Sequence, residues 1–123
     1  MKKKIMVVDD SREIVKVIQK ILESENFAVT TAYSGAECLN KLKKEAPDLI
    51  LLDLLMPGMG GINVLRELMR RDPKAKVVML TVMGQVSIVN ECSQLGAKDF
   101  ITKPFDNEDL IRRVKWILRG GNA

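Results

Sequence analysis

Five short apolar runs, each followed by a segment whose apolar residues recur at helical spacing, constrain this chain more than any other feature. The runs are residues 4–8, 27–32, 48–52, 76–80 and 99–102. The intervening helical segments are about 11–25 (Ile14, Ile18, Ile21, Leu22), 34–45 (Leu39, Leu42, Ala46), 61–71 (Ile62, Leu65, Leu68, Met69), 85–95 (Val86, Val89, Cys92) and 107–118 (Leu110, Ile111, Val114, Ile117, Leu118). Ser34 and Glu37 have the spacing of a capping box, and Asp106 stands where a helix cap belongs. Strand and helix in strict alternation imply a parallel sheet covered by helices on both faces. Residues 5–8, 49–52 and 77–80 are continuously apolar, as strands buried on both sides are. The second run carries two threonines and the fifth is short, so both belong at edges. Right-handed crossovers then give a doubly wound five-stranded parallel sheet of order 2-1-3-4-5.

The 123 residues amount to one domain, 1–123, and a chain of this length buries roughly two-thirds of its unfolded surface. The runs 49–52 and 54–56 fall far short of the ~20 apolar residues a membrane span needs. Lys2, Lys3 and Lys4 resemble the start of a secretion signal. Only four apolar residues follow before Asp9 and Asp10, too few for its apolar centre, so the cytoplasm is expected. Cys38 and Cys92 lie far apart and read as free buried thiols. Histidine is absent, which excludes Ser-His-Asp and Cys-His catalysis and leaves a hard, oxygen-bound ion such as Mg2+ as the expected metal. The net charge of +4 is scattered over helix faces without interleaved aromatic residues, so no direct nucleic-acid binding is expected.

Ligands of doubly wound sheets bind beyond the carboxyl ends of the strands, at the point where strand order reverses. Asp9 and Asp10 follow the first run, Asp53 the third, Thr81 the fourth and Lys103-Pro104 the fifth. Three carboxylates at one sheet edge repel one another and call for a counter-charge, which Mg2+ supplies. A carboxylate can also accept a phosphoryl group, a transfer promoted by positioning and by charge neutralisation from metal and lysine. Thr81 can donate a hydrogen bond to a phosphoryl oxygen. A cis Lys103-Pro104 bond is expected. Taken singly, Asp10 would also serve as an ordinary helix cap.

The set Val7-Val8-Asp9-Asp10, Leu51-Leu52-Asp53-Leu54-Leu55-Met56-Pro57-Gly58, Met79-Leu80-Thr81 and Lys103-Pro104-Phe105 resembles the receiver domain of two-component response regulators, over essentially the whole chain. The resemblance implies a flavodoxin/CheY-like (βα)5 fold. It implies Asp53 as phosphoacceptor and Mg2+ on Asp9, Asp10, Asp53 and the backbone carbonyl of Leu55. It implies catalytic support from Thr81 and Lys103, and a switch formed by Thr81 and Phe100. The implied partners are a sensor histidine kinase or histidine phosphotransfer protein and a downstream target that reads the surface of helix four, strand five and helix five. The protein would be a monomer or a phosphorylation-dependent homodimer. It would be no enzyme beyond its own phosphorylation and dephosphorylation, and it would have no output domain. The segments Met83-Gly84-Gln85 and Gly96-Ala97-Lys98-Asp99-Phe100 resemble chemotaxis regulators.

Some positions depart from the family. Leu55 and Met83 are both apolar, at positions where related receivers vary and which influence water access to the phosphoryl group. Val82 replaces a more common alanine, and Gly58-Met59-Gly60-Gly61 is richer in glycine than usual, a matter of turn geometry and close backbone approach. Phe100 also reads as a half-buried strand aromatic without a switching role. Trp116 lies about 200° around its helix from Val114, off the buried stripe, as an interface anchor or a lone surface aromatic. Four alternatives accompany the receiver reading. A phosphate-independent binding module would usually have lost an acid, the threonine or the lysine. A receiver piece of a larger transcriptional regulator is the second. A phosphatase of the haloacid-dehalogenase type wants Asp and Thr where this chain has Leu55 and Pro57. Flavin phosphate would be repelled by Asp9 and Asp10.

Overall fold

The computed structural model describes residues 2–82 and 86–121, and within Val86 the backbone alone. Five strands, β1 (Lys4–Val8), β2 (Ala28–Ala32), β3 (Leu49–Asp53), β4 (Val77–Thr81) and β5 (Asp99–Thr102), alternate with five helices. The helices are α1 (Arg12–Ser24), α2 (Gly35–Lys41), α3 (Gly61–Arg71), α4 (Val86–Leu95) and α5 (Asn107–Leu118). All pairings are parallel and the order is β2-β1-β3-β4-β5, as the apolar runs indicate. Alternate side chains of each central strand serve opposite layers. Met6, Val8, Ile50, Leu52, Val77 and Met79 pack under α2, α3 and α4, and Ile5, Val7, Leu49, Leu51, Val78 and Leu80 under α1 and α5. Each such side chain, fully buried, stabilises the fold by about 1.5–3 kcal/mol relative to exposure.

Three helices begin on the caps their sequences supply. Ser11 Oγ accepts from Ile14 N–H at 3.2 Å, Ser34 Oγ from Glu37 N–H at 3.0 Å, and Asp106 Oδ2 from Asp109 N–H at 3.3 Å. Such caps are worth about 1 kcal/mol each. The Glu37 carboxylate reaches back to Tyr33 N–H at 2.8 Å, one residue before the cap itself. Cys38 and Cys92 are free and buried, and the Lys103-Pro104 peptide is cis. Among the described residues no helix is long and apolar enough to cross a membrane.

Several element boundaries differ from those read in the sequence. β3 and β4 start and end one residue later, because ladder pairing rather than side-chain polarity sets a strand's end. Asp53 still pairs with Leu80, and Thr81 with Thr102. β2 loses Phe27, whose N–H turns back to Leu22 O after Asn26 adopts φ 68°, while its ring packs in the α1/α5 layer. α2 stops at Lys41 instead of 45. Lys43 and Lys44 tighten into bonds three residues back, to Asn40 and Lys41, and Pro47 disfavours helix just before it. Ala46, read as part of the apolar stripe, is therefore exposed. Val15 and Val64 are fully buried, although the stripes omitted them. α4 is described from Val86, so Gln85 lies outside the described residues.

Candidate functional site

Four of the five candidate strand ends bring a charged or hydroxyl group to one edge. Asp9 follows β1, Asp53 and Thr81 close β3 and β4, and Lys103 follows β5. The backbone ties these ends together: Leu54 N–H donates to Leu80 O at 2.8 Å and Lys103 N–H to Thr81 O at 2.6 Å. Asp9 is 1% exposed and Asp53 4%, whereas Asp10 is open to solvent. One oxygen from each of the three carboxylates lies within 4.8 Å of the others.

Lys103 is the cation among these acids, and it is shared unequally. Its ammonium lies 2.5 Å from Asp9 Oδ2 and 3.3 Å from Asp53 Oδ1. Asp9 Oδ1 also accepts from Ser11 N–H at 3.0 Å, which links the acid to the start of α1. Asp53 Oδ1 accepts a longer bond from Leu55 N–H at 3.4 Å. Burial, then the neighbouring charge of Asp9, raises the Asp53 carboxyl from 3.8 to about 6, against the opposing pull of Lys103 and the Leu55 amide. One ammonium against three carboxylates leaves negative charge uncompensated. A set of clustered carboxylate oxygens is the donor chemistry of a hard divalent cation. The Leu55 carbonyl accepts no hydrogen bond among the described residues, so it too is available as a donor.

The loop after β3 is fixed by backbone contact. A Cβ on Gly61, at the start of α3, would lie 2.3 Å from Asp53 O and 2.7 Å from Leu54 Cα, so only glycine lets the helix approach the strand end. Gly58 supplies the turn with φ 75°. Both roles match the reading of the Gly58–Gly61 segment. Leu55, two residues after Asp53, is 68% exposed, and Val82, next after Thr81, is 55% exposed. Met83 lies outside the described residues. Phe100 is half-buried on β5 against the α2/α3/α4 layer. Trp116 is 43% exposed, off the buried stripe as its helical angle indicates.

Sequence reasoning missed one ion pair on a buried acid. Asp99 opens β5, and both its oxygens accept from Arg113 Nη1 of α5 at 2.9 Å, while Oδ1 also takes Phe100 N–H at 2.7 Å. A lone aspartate before an apolar pair carries no local sign of a partner fourteen residues on. The carboxylate sits directly beside the candidate switch aromatic.

Comparison with known proteins places this geometry in context. A family profile described as "Response regulator receiver domain" matches residues 5–115. Protein CcdB of Bacillus subtilis (strain 168) is 40% identical over 116 residues, covering 94% of this chain and 97% of that protein. The alkaline phosphatase synthesis transcriptional regulatory protein PhoP of the same organism is 41% identical over 119 residues, and there the match spans only 50% of the relative. A CheY-like response regulator receiver domain protein from Methanospirillum hungatei JF-1 superposes with a TM-score of 0.93 at 30% identity, covering 97% of this chain and 95% of that one.

Proposed function

Because this chain belongs to the response regulator receiver family, we propose that it is a Mg2+-dependent phosphoacceptor switch that takes a phosphoryl group onto Asp53. The observation that carries this reading is the position of Asp53, buried at the end of β3, beside Asp9 and Asp10 and 3.3 Å from the Lys103 ammonium. The donor is a phosphohistidine of a sensor kinase or phosphotransfer protein. An oxygen of ionised Asp53 attacks phosphorus, the O–P bond forms, and the P–N bond breaks with its electron pair leaving on the imidazole. Asp9, Asp10, Asp53 and the Leu55 carbonyl would hold Mg2+, which supplies charge neutralisation for the transferring phosphoryl oxygens when bound. Lys103, already held by Asp9 and Asp53, offsets charge on the same oxygens, and Thr81 donates a hydrogen bond to one of them.

The output follows from what Thr81 and Phe100 adjoin. Movement of Thr81 toward the phosphoryl group frees Phe100 to turn inward and remodels the α4–β5–α5 surface that a target protein reads. The similarity to segments of chemotaxis regulators favours a target of that kind, and the cytoplasm is the compartment in which such partners meet. The apolar pair Leu55 and Met83, at the two sequence positions that influence water access to the phosphoryl group, slows hydrolysis of the acylphosphate.

The reading is tested by intact mass after incubation with acetyl phosphate. One phosphoryl group should add to the wild type with Mg2+, and none without the metal or in Asp53→Asn. An unmodified wild type under conditions where Mg2+ binding is demonstrated would refute Asp53 as a self-catalysed acceptor.

A further inference from the structure

We propose that the cleft between the starts of β4 and β5 and the exit of α5 binds a polyphosphate chain, either free or as the phosphate tail of a nucleotide. The cleft encloses about 260 Å3 and is lined by Lys74, Lys76 and Lys98, with Ile117, Gly120 and Gly121 on the α5 side and no carboxylate. Lys76 and Lys98 are half-buried. The Lys76 ammonium donates only to a neutral group, Leu118 O at 3.3 Å, where it offsets the negative end of α5. The Lys98 side chain has no hydrogen bond or ion pair among the described residues. The adjacent acids are engaged elsewhere: Asp72 caps the backbone N–H of Lys74, and Asp99 is held by Arg113 and Phe100 N–H.

By contrast, Lys115 is paired with Glu25 at 2.7 Å and Arg113 with Asp99 at 2.9 Å. Like charges sharing a partly desolvated cleft repel each other unless a counter-ion joins them. The missing counter-charge is multiply negative. An ammonium group binds a phosphate oxygen as a compact point charge, and several of them in one cleft suit a chain that carries several negative charges. No aromatic ring lines the cleft, so the phosphates rather than a base make the contacts. The site lies at the opposite ends of β4 and β5 from Thr81 and Lys103, so its occupancy does not draw on the acidic cluster.

The test titrates the full chain, 15N-labelled, with sodium tripolyphosphate in EDTA at constant ionic strength, following amide shifts. Saturable shifts should centre on Lys76, Lys98 and Gly120. The double variant Lys76→Gln/Lys98→Gln should bind about tenfold or more weakly, since charge-assisted bonds are being removed. Lys16→Gln on α1 should bind like the wild type. Unsaturable shifts, shifts centred elsewhere, or equal weakening by Lys16→Gln would overturn the proposal. An ATP titration separates the two sources: equal affinity assigns the site to the phosphate chain alone, and tighter binding assigns it to a nucleotide.

Discussion

Replacing Asp53 with asparagine should make the metal-free protein more stable at neutral pH, although it removes the proposed acceptor. Burial and the charge of Asp9 raise the Asp53 carboxyl from 3.8 to about 6. At about 1.36 kcal/mol per pK unit, that displacement costs the folded wild type roughly 3 kcal/mol once the group is ionised. The folded state binds the proton more tightly than the unfolded state, so stability is full below pH 3.8 and is lost as pH rises through about 6. The asparagine variant lacks this loss. Its advantage should be near zero at pH 4, grow through pH 5 and 6, and level off near pH 7 at roughly 3 kcal/mol. In a domain of this size that corresponds to a Tm higher by on the order of 10 °C. Urea denaturation of both proteins across that range in EDTA measures the difference directly. Added Mg2+ should narrow it by stabilising the wild type by mass action. A variant no more stable than wild type at pH 7, or an advantage that does not change with pH, would refute the electrostatic reasoning.

Three further outcomes follow from the same geometry. Lys103→Met leaves the buried carboxylates of Asp9 and Asp53 without their cation, so the metal-free protein should lose about 3 kcal/mol, and Mg2+ should raise its Tm more than that of the wild type. Equal Mg2+ responses would show that the lysine does not compete with the metal for those oxygens. Gly61→Ala puts a methyl group 2.3 Å from Asp53 O and should cost about 1–3 kcal/mol in urea denaturation while slowing phosphorylation of Asp53. Gly60→Ala, with nothing within 4 Å of the added carbon, should do neither. The Cys38 thiol, pushed by burial up to about 12, should resist iodoacetamide at pH 8 in the native protein and react once urea unfolds it.

How much of this was legible in the sequence depended on whether a partner was local. The alternation of runs and stripes carried the strand order, because the mild, threonine-bearing β2 and the short β5 could only be edges. Asp9, Asp10, Asp53, Thr81 and Lys103 were legible together because a parallel sheet sends all its strand ends to one side. The division of Lys103 between Asp9 and Asp53 was not legible, since spacing places a lysine at an edge without choosing its carboxylate. The pairing of Asp99 with Arg113 depends on how α5 returns across β5, which no local pattern encodes. Val64 was missed because burial on α3 follows the close approach of α2, where a Cβ on Gly35 would lie 2.5 Å from the Val64 side chain. The early end of α2 reflects backbone choices at residues 42–47 that apolar spacing cannot register.

The contact between Trp116 and Gly121 has an optical consequence. The chain holds a single tryptophan, so its near-ultraviolet emission comes mainly from one place, the exit of α5. Gly121 N–H donates to Trp116 O at 3.0 Å, and a Cβ on Gly121 would lie 2.3 Å from the indole, so the backbone there shields one face of the ring. Anything that lifts residue 121 away wets that face and reddens the emission, and anything that seats against the ring turns it blue. The protein thereby carries its own colour gauge for events at the end of α5, readable without a label.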